Sequence, residues 1–174
     1  MKNYFAFVVC FLFFLNTGAQ IINNTVKSPV TSTVVRPVIA FRAAATYVGG
    51  EPLANNTESK VNFTGAYFDE SKNFSVSTGE FIAPSDGIYH FDLRVSWLKF
   101  SAPGSVSLLL RTNLYSAIAM TTVLEASTTV PVFDSNFSTL LKLKTGDKVS
   151  VYLNQNSGAQ QKYQQVILGG VKVN

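Results

Sequence analysis

Cysteine is almost missing from this 174-residue chain, and the one present, Cys10, lies in an apolar run near the N-terminus. With no second cysteine there is no intrachain disulfide, so stability has to come from packing. Together with the single histidine, this scarcity excludes zinc sites built on several Cys or His. Once the N-terminal run is removed, it also excludes a Cys–His nucleophile pair. Charge is scarce too: only 14% of residues are Asp, Glu, Lys or Arg, which predicts surface covered by another subunit or used as a contact. Fourteen Lys and Arg are too few for the dense basic groove that nucleic acid requires. Gly-X-Y triplets are absent, which excludes a collagen-like stalk, and no spaced acidic loop of the EF-hand kind occurs.

What is present is 47% hydrophobic and 13% aromatic content, over a length suited to one core. Residues 1–19 place Lys2 ahead of an apolar run from Tyr4 to Leu15, then Thr17-Gly18-Ala19 before Gln20, the order of parts in a secretory signal peptide. That run is shorter than the roughly 20 apolar residues needed to span a bilayer, so a secreted, extracellular protein without a membrane span is expected. Cleavage removes Lys2 and leaves 13 basic against 10 acidic residues, a side-chain charge of +3. Residues 20–37, rich in Asn, Thr, Ser and Val, read as a short leader, and 38–174 as one domain.

Within that domain the segment from Phe63 to Trp97 is the most informative. Tyr89, Phe91, Leu93, Val95 and Trp97 alternate with His90, Asp92, Arg94 and Ser96, which is a strand with one buried face. The preceding Ala83-Pro84-Ser85-Asp86-Gly87 is a turn. Short strands are predicted at 39–43, 61–68 and 74–76, and another through Val106, Leu108 and Leu110 after a turn at 101–104. A glycine-, proline- and asparagine-rich loop is expected at 48–60 and a polar loop at 154–162, before a last strand at 166–173. Phe137 to Leu143 and Val149 to Leu153 alternate on either side of Thr145-Gly146-Asp147, which predicts a hairpin. Residues 114–133 fit a short helix or a strand interrupted by Pro131. Many short strands between turns predict an all-β sandwich.

The run Thr78 to Phe91 (TG-x-F-x-AP-x-x-G-x-Y-x-F), with Phe63, Asp69 and Phe74 upstream, resembles the globular head domain of complement C1q and its tumour necrosis factor-like relatives. Leu141-x-Leu143-x-x-Gly146-Asp147-x-Val149-x-Val151 is similar to a later segment of the same family. Departures are Leu93, where the family usually has an aromatic, Leu114 after Asn113, and a last strand, ILGGVKV, that is less aromatic. The resemblance implies a ten-stranded jelly roll, a homotrimer and a non-enzymatic binding role.

Candidate sites follow from charge and position. His90, Asp92 and Arg94 share a strand face and are expected at the trimer interface, although a serine from elsewhere could complete a Ser-His-Asp set with the first two. Lys142, Lys144 and Lys148, with Arg111 on the same sheet, form a candidate patch for a glycan, an anionic surface or a protein ligand, against the simpler role of guarding an edge. No cofactor is expected. The metal site is unassigned: Asp86 and Asp147 sit in turns where they cap backbone, or ligate a structural calcium with loop carbonyls. A small jelly-roll enzyme acting on glycans is the rival, with Asp69, Glu70, Glu80 and Asp86 as the carboxylates to draw on. A structural surface or matrix protein is a third. Asn23, Asn55, Asn62, Asn73 and Asn136 each begin an N-x-[ST] sequon.

Overall fold

The computed structural model of the chain describes residues 38–100, 102–114, 118–124 and 132–173. The expected signal segment and leader, Asn23 and Ser101 lie outside the described residues.

Eleven strands and, among the described residues, no helix make up the domain. They are β1 (Ala40–Leu53), β2 (Ser59–Lys60), β3 (Gly65–Asp69), β4 (Phe74–Ser75), β5 (Glu80–Ile82), β6 (Gly87–Leu98), β7 (Gly104–Thr112), β8 (Ile118–Leu124), β9 (Val132–Leu143), β10 (Lys148–Asn156) and β11 (Gln161–Lys172). Two antiparallel sheets form a jelly-roll sandwich, one in the order β3-β1-β11-β6-β9 and the other β4-β5-β10-β7-β8. These are the ten strands expected, and the two-residue β2 pairs additionally with β10.

The core is the space between the two inner faces, filled by the alternating apolar residues of each strand. Tyr89, Phe91, Leu93, Val95 and Trp97 of β6 are all sealed from solvent, opposite Val106, Leu108 and Leu110 of β7 and Val149, Val151 and Leu153 of β10. Phe41 stacks on Phe74 at 4.9 Å and on Phe81 at 5.0 Å between ring centres. Each such ring contributes roughly 1.5–3 kcal/mol by leaving water. The departure at Leu93 is explained here. Its cross-strand partner is Phe137, which packs against the core and supplies an aromatic to that layer. In ILGGVKV, Gly170 points at Phe41, leaving no room there for a larger side chain.

Three expectations are corrected. The segments on either side of Thr145-Gly146-Asp147 are not a hairpin, because β9 pairs with β6 in one sheet and β10 with β5, β7 and β2 in the other. Alternation reports which residues face inward but not which of the two facing sheets a strand joins. The corner between them is fastened to the 83–86 turn: Ala83 donates to the Asp147 carbonyl and Gly146 donates to the Ala83 carbonyl, both at 2.8 Å. Second, the loop expected at 48–60 is partly strand. β1 runs on to Leu53 past Gly49 and Gly50, whose φ angles of 80° and 82° accompany a register shift between Thr46 and Glu51. Third, β10 reaches Asn156 and β11 starts at Gln161, so the loop expected at 154–162 shrinks to four residues. Of the two alternatives left open for 114–133, the strand holds at 118–124, which form β8, paired from Ile118–Leu110 to Leu124–Gly104, while Pro131 lies outside the described residues.

Candidate functional site

On β6 the residues between the core positions project from the outer face of the five-stranded sheet, and cross-strand pairing sorts that face into rows. One row runs Phe68, Arg42, Gly169, Asp92, Ser138; the next runs Ile167, Arg94, Asn136; on the other side, Val171, His90 and Leu140 line up. Phe68, Leu140 and Val171 are 44%, 61% and 41% exposed. Because Gly169 has no side chain, the middle of the face sinks into a depression of about 580 Å³, lined by Arg42, Phe68, Asp92, Arg94, Asn136 and Ser138 among others.

The structure therefore brings His90, Asp92 and Arg94 onto one face, as the alternation predicts. Their pairing is less direct. His90 Nδ1 lies 3.4 Å from Asp92, whereas Arg94 donates to Asp134 of β9 at 2.6 Å. Ser96 also donates to Asp134, and that hydroxyl first, then Arg94, holds the Asp134 carboxyl below its ordinary range. Asp134 escaped the sequence reading, although it shares the alternation of Asn136, Ser138 and Leu140 on β9.

The missing serine of a Ser-His-Asp set is Ser138, whose Oγ is 2.7 Å from His90 Nε2. The arrangement lacks two things a triad needs. Asp92 is 66% exposed, with a long 3.4 Å contact to Nδ1 where a triad has a buried, tightly bonded carboxylate, and the group stands on an open sheet face that does not exclude water. It is a surface polar cluster.

The cations expected to act together are spread over the two sheets. Lys142 leaves β9 in one sheet, Lys144 sits at the corner, and Lys148 begins β10 in the other. Lys148 is held by Glu80 at 3.2 Å, which also takes Lys60 at 3.0 Å. Arg111 makes a two-pronged bond to Glu58 and lies over the Tyr152 ring. Among the described residues, Lys142 and Lys144 form no ion pair with a carboxylate, although Lys144 is near enough to Asp86 and Asp147 to help lower the pKa of both.

Most of the carboxylates weighed for acid–base chemistry are bound to the frame. Asp69 accepts the amides of Asn73 and Phe74 at 3.1 and 2.9 Å, and Asp86 accepts the amide and hydroxyl of Thr145 at 2.8 and 3.0 Å. Asp147 accepts the Lys144 amide at 2.7 Å and the Asn113 side chain at 2.8 Å. Glu80, Asp86 and Asp147 are all held below the usual carboxylate range, Glu80 by Lys60 and then Lys148, the aspartates first by those amides. Among the described residues no three His, Cys, Asp or Glu gather as metal ligands, and no helix is long and apolar enough to cross a membrane.

No curated protein matches the sequence. Among solved structures the fold is similar to the globular domain of the zebrafish complement 1qA protein, at 18% identity over 78% of this chain and 98% of that one, with a TM-score of 0.57. It is also similar to the Eiger TNF of S. frugiperda (16% identity, 80% and 94% covered, TM-score 0.55). A third similar structure is the PRD1 vertex protein P5 (18%, 78% and 97% covered, TM-score 0.55). At these identities the likenesses establish the fold. The C1q domain profile matches residues 40–170, three-quarters of the chain, and the protein therefore belongs to the C1q domain family, whose members are generally non-enzymatic binding modules.

Proposed function

We propose that the protein is a secreted, non-enzymatic recognition module that assembles as a homotrimer and binds anionic ligands, such as acidic glycans or cell surfaces, at the corner end of the sandwich. The observation that carries it is the outer face of the five-stranded sheet, where Phe68, Leu140 and Val171 surround the depression at Gly169. In a chain with only 14% charged residues, that face is the natural place for another subunit. Trimer formation is a property of C1q- and TNF-like domains, and it supports the same reading. Asn136 lines the depression, so a glycan on that sequon is incompatible with assembly through this face.

Lys142 has no ion pair and Lys144 has only the neighbouring charges of Asp86 and Asp147, whereas Lys148 and Arg111 contribute only by releasing Glu80 and Glu58. Each mature chain carries +3, so three copies gather three times +3, or +9, and present the corner three times. No cofactor is required.

Light scattering on the secreted protein tests assembly: a trimer mass supports the reading and a monomer at micromolar concentration overturns it. Binding of a sulfated polysaccharide to wild type and to a Lys142, Lys144, Lys148 triple alanine variant tests the ligand. Wild-type binding is expected to weaken as salt brings the Debye length to about 8 Å, and the variant to lose most of it while remaining trimeric. Equal binding by both proteins at both salts overturns the anionic-ligand reading.

A further inference from the structure

On the outer face of the five-stranded sheet, two charges of opposite sign flank Gly169. On the β3–β1–β11 side stands Arg42, exposed and, among the described residues, without a carboxylate partner. On the β6–β9 side stands Asp92, 66% exposed, with only His90 beside it. Both belong to one row: Arg42 pairs with Gly169 in β1–β11, and Gly169 pairs with Asp92 in β11–β6. The two backbones are thus two strand spacings, about 10 Å, apart, with the glycine depression between them. Of the other charges of this face, Arg94 is bound to Asp134, and Lys142 stands apart at the corner end of β9, in the row of Ile88, two rows beyond that of Asp92.

A cyclic trimer does not put a patch against itself. Its contacts are heterologous, so one half of the face meets the other half of a neighbouring copy. A charge covered in such a contact without a partner is strongly unfavourable, and Arg42 and Asp92, the two charges of the row at Gly169, still lack one. Resting on the trimeric reading above, we propose that Arg42 of one subunit pairs with Asp92 of the next, its side chain entering the notch at Gly169. The occupant of the depression is thus a second copy of this chain, and the pair sets which half meets which. The unequal halves supply register and direction around the ring, while Phe68, Leu140 and Val171 supply the apolar contact.

Charge reversal tests the pairing. Arg42→Glu and Asp92→Arg are each expected to raise the concentration at which half of the chains are assembled by about tenfold or more, and the double variant to return it close to wild type. Sedimentation velocity over a dilution series reads that concentration, and circular dichroism checks the fold of each variant. If a reversal unfolds the chain, Arg42→Gln and Asp92→Asn carry the same test with a smaller shift. Single variants that assemble like wild type, or a double variant as weak as the singles, overturn the pairing while leaving the trimer intact. If the reversals lower only the melting temperature, with no dependence on concentration, the pair forms across Gly169 within one subunit and the inference fails. A wild type that never assembles refutes the trimer itself.

Discussion

The indole nitrogen of Trp97 donates to the hydroxyl of Ser135 at 2.7 Å across the β6–β9 pair, and both residues are buried. Trp97 also stacks on Phe133 and meets Phe100 and Tyr163 edge-on, so its ring has no freedom to seek another acceptor.

Ser135→Ala therefore leaves a buried N–H unpaired and is expected to destabilise the domain by about 1–3 kcal/mol. Urea unfolding followed by Trp97 fluorescence measures it. A loss within error of zero would mean that water reaches the indole.

Two adjacent glycines on β11 are expected to behave in opposite ways. A Cβ on Gly170 would run into the ring of Phe41, with Cζ at 2.9 Å, and would lie 3.0 Å from Phe91. Gly170→Ala should cost about 1–3 kcal/mol by overpacking. On the outward side, the nearest atoms of the same chain to a Cβ on Gly169 are 4.0 Å away, so Gly169→Ala should cost the fold of the subunit little, as read by urea unfolding at a concentration where the chain is monomeric. Equal losses in the two variants would contradict the facing of β11.

Stability should fall on acidification. Glu80, Asp86, Asp134 and Asp147 are each held below the ordinary carboxylate range in the folded chain. The unfolded chain then binds protons at about pH 4, before the folded one does, so the contribution is full above that and lost as pH falls through the folded values. Urea midpoints at pH 7, 5 and 3 should drop mainly in the last interval, and Asp134→Asn should flatten the drop. A midpoint independent of pH would remove these carboxylates from the account.

Asp69 holds the β3–β4 turn by accepting two backbone amides, and Lys72 there has a φ of 54°. Asp69→Ala should cost about 1–3 kcal/mol, because two amides lose their acceptor, with Asp69→Asn recovering part of it. Hydrogen exchange at Asn73 and Phe74 locates the loss. Unchanged protection of both amides would show that the turn closes without the carboxylate.

The alternation from Tyr89 to Arg94 sorted that stretch into core and surface, and His90, Asp92 and Arg94 do share a face, whereas Ser96, the next outward position, is buried where it bonds Asp134. This was legible because a strand's side chains must alternate, whatever it pairs with. Turn residues were equally readable: Asp86, Asp147 and Gly146 all serve in the corner that joins the sheets.

Pairing was not legible, since it depends on residues far apart in the chain. The same alternation that reads as a β9–β10 hairpin is satisfied by sending the two strands into opposite sheets, and only the packed sandwich decides between them. That choice separates Lys142 from Lys148, gives Arg94 to Asp134 rather than Asp92, and brings Ser138 to His90 across 48 residues. Local sequence determines which way a side chain faces, because facing is set by the backbone of its own strand; its neighbours are set by closure of the whole core, and the tertiary structure alone decides them.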